Sequence, residues 1–174
     1  MAASGLAGSR FIIEALTSTH QRSAFASGVA ALDLYLQKQA GQDAKRHVAA
    51  PFVMLEPPAS EVLGYYTLSA SAIDTRDLPE ALAKKMPRYA SLPVILMGRL
   101  ALASKLKGQG LGEFLLMDAL QRSARSEIAA MAFVVDAKDD VAQAFYQHFD
   151  FVPLQQQPRR LFLPMSTIKA LFVD

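Results

Sequence analysis

No cysteine occurs among the 174 residues. That excludes a disulfide framework, a thiolate nucleophile and a cysteine-ligated zinc site. No segment approaches the roughly 20 consecutive apolar residues of a membrane-spanning helix. The opening Met-Ala-Ala-Ser-Gly-Leu-Ala-Gly-Ser-Arg lacks the apolar run of a secretory signal. The expectation is therefore a cytoplasmic chain with no membrane partner, a flexible leader over residues 1–10 and a single domain over 11–174. Histidine is scarce. His20, His47 and His148 are scattered, no pair has metal-ligand spacing, and no metal is expected. Neither sign of charge is in large excess: 18 Lys and Arg against 16 Asp and Glu give a net charge of +2. A polyanion could be held only where positive charge is gathered locally. What is abundant is apolar, at 52% of residues, with 20% charged. That balance excludes a disordered chain and supplies a sizeable core.

Phe11–Leu16 reads as a first strand, and Thr17, Ser18 and Thr19 offer caps for a helical stretch behind it. Ala31–Lys45 reads as a helix with Leu32, Leu36 and Ala40 near one face. Val48–Leu55 and Glu61–Ile73 read as a hairpin around Glu56-Pro57-Pro58-Ala59-Ser60. The Tyr65-Tyr66 pair is expected to put one ring inward and one outward. Leu78–Lys85 is a short helix with Pro79 near its first turn. Pro93–Leu102 is almost continuously apolar, the pattern of a strand buried on both faces. Leu111–Ser126 is a helix, Met131–Ala137 a strand, and Val141–Phe149 a helix. Phe151–Leu154 and Arg160–Pro164 are strands. An antiparallel first half and a βαβ unit in the second give an α/β (α+β) fold with a mixed central sheet flanked by helices.

The informative segment is Leu96–Leu116, where a buried strand ends, a basic glycine-rich loop follows and a long helix begins. Gly108, Gly110 and Gly112 permit positive φ and close approach of backbone to a ligand. Unpaired N–H groups and the positive end of the helix dipole favour an anion there, and Lys105 and Lys107 add charge. A tight structural turn of the same composition is the competing reading. A P-loop is excluded because Glu113 and Phe114 follow Gly112. A dinucleotide fingerprint is excluded because the glycines fall at every second position.

Lys107, Gly110 and Gly112 resemble motif A of the GNAT acyl-CoA N-acetyltransferases, Gln/Arg-x-x-Gly-x-Gly/Ala, with Lys at the first position. Ala142-Gln143-Ala144-Phe145-Tyr146-Gln147-His148-Phe149-Asp150-Phe151 resembles that family's Ala-x-x-Phe-Tyr-x-x-x-Gly-Phe, with Asp150 in the glycine position. Asp tolerates the left-handed region better than most residues. Gly64–Ser69, Leu92-Pro93-Val94, Gly98-Arg99-Leu100-Ala101, Val135–Asp139 and the early Leu32-x-x-Tyr35-Leu36 stretch narrow the likeness. They are similar to the GNAT toxins of bacterial toxin–antitoxin pairs, over roughly residues 11–169.

The resemblance implies a GNAT fold and an acetyl-CoA-dependent N-acetyltransferase. The implied substrate is the α-amino group of aminoacyl-tRNA, whose acetylation blocks translation. It also implies a ribbon-helix-helix antitoxin and a homodimer. By the same route Leu100, Ala101 and Leu102 would pair with the pantetheine arm. Lys107, Gly108, Gln109, Gly110, Leu111 and Gly112 would hold the pyrophosphate. Asp136, Ala142 and Phe145 would complete the cofactor contacts, and Tyr146 would be the general acid. An acetyltransferase of a small amine or a protein N-terminus, without a toxin role, is the alternative.

Pro93–Leu102 contains no Asp, Glu or His to serve as a general base. An α-amine with a pKa of about 7.7–8.0, lowered further by esterification of its carboxyl, needs a base less than a lysine near 10.4 does. Glu14, Asp74 or Glu56 could supply one from elsewhere. Lys38, Arg46, Lys84, Lys85, Arg88 and Arg99 are the candidate tRNA contacts, with Lys45, Arg76, Arg159 and Arg160 also available. Arg99 lies inside an apolar strand and requires a partner or a ligand, Asp136 being one possible partner.

Overall fold

The computed structural model describes residues 10–173. The expected leader thus lies outside the described residues except for Arg10. The strands are β1 (Ile12–Ala15), β2 (Ala50–Leu55), β3 (Gly64–Asp74), β4 (Ser91–Leu102), β5 (Ala132–Asp136), β6 (Val152–Pro153) and β7 (Arg160–Pro164). Their order along the sheet is β1-β2-β3-β4-β5-β7-β6. The helices are α1 (30–45), α2 (Glu80–Ala83), α3 (Leu111–Ala124), α4 (Asp140–His148) and α5 (Met165–Leu171). The chain resolves into two compact units, and both β3 and β4 contribute to each. One comprises the chain through Ser69 together with Gly98–Ala119. The other comprises Ala70–Met97 and the chain from Leu120 onward.

In the first unit β1, β2 and β3 are antiparallel, with Ile12 opposite Leu55 and Phe52 opposite Tyr66. α1 packs its Tyr35, Leu36 and Ala40 into a core with Phe25, Val53, Val62, Tyr65 and Ala101. The helix is not uniformly α. Tyr35–Gln39 is a π turn in which the Ala40 N–H reaches back to the Tyr35 carbonyl. Both tyrosines of the Tyr65-Tyr66 pair are fully buried, which corrects the expectation that one points outward. Tyr65 stacks on Tyr35 at 6.2 Å and donates its hydroxyl to the Leu32 carbonyl at 2.6 Å. Tyr66 stacks on Phe52 at 5.3 Å and donates to Asp118 Oδ2 at 2.5 Å. Alternation sends the two rings to opposite faces, and both faces are covered. Thr17, Ser18 and Thr19 cap no helix; they form a turn in which the Thr17 N–H donates to His20 Nδ1.

In the second unit β4 and β5 are parallel, Val94 to Met97 facing Ala132 to Val135. This is the βαβ unit expected from the alternation of strand and helix. β7 pairs antiparallel with both β5 and β6. Leu78, Leu92, Val94, Val134, Leu154 and Phe162 form the core. α5, absent from the sequence reading, buries Met165 and Ile168. Asp77 is a buried carboxylate. It accepts from the Gln156 N–H at 3.1 Å and the Gln157 amide at 3.2 Å, tying down the loop before β7.

Candidate active site

β4 outruns its parallel ladder: pairing with β5 ends at Met97, while the strand continues to Leu102. Leu100, Ala101 and Leu102, the expected pantetheine contacts, lie on that extension. Beyond it the chain turns inward, the Ala103 N–H donating to the Leu63 carbonyl and the Ser104 N–H to Ala26. A single 3-10 turn, Ser104–Leu106, leads into the glycine loop.

Gly108 and Gly110 adopt φ of +83° and +74°. Gly112 does not need positive φ; it sits in the first turn of α3. No described residue accepts a hydrogen bond from the N–H of Gly108, Gln109 or Gly110. A Cβ on Gly108 would meet nothing within 4 Å, so the loop is open on that side. Free N–H groups running into the N-terminus of a 14-residue helix fit a diphosphate. The lysines are partly committed. Lys107 Nζ donates to the Ser27 carbonyl at 2.9 Å, and Lys105 pairs with Glu61 at 3.2 Å. Backbone N–H groups therefore supply much of the loop's attraction for an anion, which makes Lys a tolerable variant at position 107.

In the second unit α4 is capped by Asp139, which accepts from the Ala142 N–H at 2.8 Å. Asp150 closes its C-terminal end at φ +69°, the left-handed geometry expected where the motif has glycine. The Tyr146 ring is buried, edge-on to Phe145 at 5.3 Å and tilted on Phe151 at 5.6 Å. Its hydroxyl makes no hydrogen bond to a described residue. It is also not among buried unpartnered atoms, of which there are none among the described residues. The oxygen therefore keeps slight solvent access at the end of a buried ring. Burial, and secondarily the Asp136 carboxylate, push the phenol's pKa well above its ordinary 10. Such a group keeps its proton at neutral pH and can donate it.

Asp136 itself is bound by Arg160 at 2.8 and 3.0 Å, so it is not the partner of Arg99. The Arg99 guanidinium instead lies over the Tyr35 ring at 3.5 Å, a cation–π contact. Tyr35 in turn donates to Asp43 at 2.8 Å. Of the tRNA candidates, Lys38, Arg46, Lys85, Arg88 and Arg99 have no described carboxylate at ion-pair distance. Lys84 pairs with Glu80 at 3.3 Å. Arg76, Arg159 and Arg160 are spent on Asp74, Asp140 and Asp136. The carboxylates considered as bases are engaged as well. Glu56 pairs with Arg10, and Asp74 with Arg76. Glu14 accepts from His20 Nε2 at 2.7 Å; because His20 Nδ1 accepts the Thr17 N–H, the ring proton is on Nε2. Arg22, not singled out from the sequence, donates to the Leu36 carbonyl at 3.2 Å. No group of His, Asp and Glu among the described residues could hold a metal ion.

A family profile described as an acetyltransferase (GNAT) domain matches residues 95–168. The chain is 37% identical over 154 residues to the tRNA-acetylating toxin of Mycobacterium tuberculosis, covering 87% of this chain and 90% of that protein. Its structure is similar to that of AtaT complexed with acetyl-methionyl-tRNAfMet. The TM-score is 0.87 at 30% identity, over 94% of this chain and 99% of that one. It is also similar to an AtaT mutant toxin bound to the C-terminus of the antitoxin AtaR and acetyl-CoA. There the TM-score is 0.80 at 27% identity, over 95% and 99% of the two chains.

Proposed function

Because the chain belongs to the GNAT acetyltransferase family, with a tRNA-acetylating toxin among its relatives, we propose that it transfers the acetyl group of acetyl-CoA to the α-amino group of aminoacyl-tRNA and so halts translation. The observation that carries this reading is the loop of unpartnered N–H groups at Gly108–Gly110 opening α3, in a chain whose relative acetylates tRNA. Lys107 to Gly112 hold the pyrophosphate, and Leu100 to Leu102 align the pantetheine arm. Asp136, Ala142 and Phe145 border the cofactor.

The neutral amine attacks the thioester carbonyl, a C–N bond forms and the C–S bond breaks. Tyr146 gives its proton to the departing sulfur, and the amine's surplus proton leaves to solvent. Holding amine and thioester in register supplies much of the rate. An aminoacyl ester's amine is substantially neutral near pH 7.5, which suits a site whose candidate carboxylates are engaged, Glu56 and Asp74 in ion pairs and Glu14 in a hydrogen bond from His20. Lys38, Arg46, Lys84, Lys85, Arg88 and Arg99 contact the RNA phosphates. The chain acts in the cytoplasm as a homodimer restrained by a ribbon-helix-helix antitoxin. The family resemblance supports those points, and the complex of AtaT with the antitoxin AtaR supports an antitoxin partner.

The test is transfer of label from acetyl-CoA to total aminoacyl-tRNA, with deacylated tRNA as control. Label on charged tRNA alone is the expected result. Acetyl-CoA binding without any label on tRNA would sink the tRNA reading and move the substrate to a small amine or a protein N-terminus.

A further inference from the structure

We propose that the groove where α1 meets the turn after β1 is a phosphodiester-binding site that seats the sugar-phosphate backbone of the RNA substrate. This rests on the charged-tRNA reading above. The groove has a volume of about 460 Å³, and its walls include Thr17, Ser18, Arg22, Lys38, Gly41 and Lys45. Three cations line it and no carboxylate does. The contrast is with a slightly larger hollow of about 500 Å³ in the same unit. There Arg10 and Lys105 are cancelled by Glu56 and Glu61 in ion pairs. A concave surface of one sign concentrates counter-charge; a neutralised one does not.

The groove is built as well as charged. The π turn at Tyr35–Gln39 shifts the carbonyl register of α1, and Arg22 Nη1 donates to the Leu36 carbonyl. That bond holds the guanidinium in place and leaves its remaining donors for a ligand. Gly41 lies inside the helix, where glycine costs about 1 kcal/mol relative to alanine. A Cβ there would stand 3.4 Å from Arg22 Nη1 and 3.9 Å from Nη2. The guanidinium lies over this stretch of backbone, where an added Cβ would be in ordinary van der Waals contact with it. Lys38 and Lys45, seven residues apart, are exposed and spaced roughly 10 Å along the helix axis. No aromatic ring lines the groove, so no base can stack there. The chemistry is phosphate positioning, independent of sequence.

The test measures binding of uncharged tRNA against salt for the wild type, Lys38→Gln/Lys45→Gln and Arg22→Gln, alongside acetyl-transfer kinetics. Each lost phosphate contact removes about 0.9 from the slope of log K against log salt. The double variant should lose nearly 2, equivalent to roughly 50-fold in affinity at 0.1 M salt. Its KM for acetyl-CoA should not change. Unchanged slope and affinity in the double variant would overturn the groove. Groove-dependent binding by a wild type that acetylates no charged tRNA would instead overturn the functional reading and leave the groove standing.

Discussion

Replacing Tyr146 by Phe separates chemistry from folding with unusual clarity. The ring is 5% exposed and contacts Phe145 and Phe151, and phenylalanine preserves those contacts. The hydroxyl has no described hydrogen-bond partner, so its removal orphans no buried group. The stability change should therefore stay within about 0.5 kcal/mol, a Tm shift of at most roughly 2 °C for a chain of this size. General acid catalysis contributes about 10²- to 10⁴-fold, so kcat should fall by that factor, equivalent to roughly 2.7 to 5.5 kcal/mol of barrier. KM for acetyl-CoA should hold. Because burial and Asp136 raise the phenol's pKa, the wild type should show no alkaline fall from Tyr146 deprotonation below about pH 10. The assay is single-turnover acetyl transfer to charged tRNA, paired with calorimetry. A kcat within about threefold of the wild type, where the barrier has changed by less than about 0.7 kcal/mol, would refute the acid role.

Asp77→Ala would leave the Gln156 N–H without its acceptor and should cost about 1–3 kcal/mol, a Tm loss of roughly 2–12 °C by calorimetry. Gly108→Ala meets no steric obstacle yet must hold φ +83°, so backbone strain alone should cost about 1–2 kcal/mol. Gly108→Asn should recover much of that in a denaturant titration, because Asn tolerates the left-handed region. Tyr35 has its pKa pushed up to about 12, chiefly by burial and then by its hydrogen bond to Asp43, against Arg99 pulling it down. Its stabilising contribution is complete below the unfolded value of about 10 and is lost as pH rises towards 12. Tyr35→Phe should therefore flatten the fall of Tm across that alkaline window.

The local grammar of the chain was legible without coordinates. The apolar run into Gly108-x-Gly110-x-Gly112 specified a strand, an anion-compatible turn and a helix. Asp150 in a glycine position specified a left-handed closure of α4, found at φ +69°. Those features depend on residues adjacent in sequence, where φ/ψ preference and hydrophobic period act directly. Which charges remain free did not follow from sequence, because each pairing depends on distances across the fold. Arg159 and Arg160 looked like phosphate contacts and are bound to Asp140 and Asp136. Arg99 looked like an ion-pair partner and rests on the Tyr35 ring. One ring of the Tyr65-Tyr66 pair was expected to face outward and both are buried, because only tertiary packing covers the second face of β3. Arg22 carried no sequence signal beyond the oddity of Gly41 inside a helix. Its place was decided by a π turn and a bare stretch of backbone that the folded chain brings beside it. Sequence by itself determined the motif and its local geometry; tertiary structure decided the electrostatics, because the strength and sign of a charge's surroundings are set by neighbours distant along the chain.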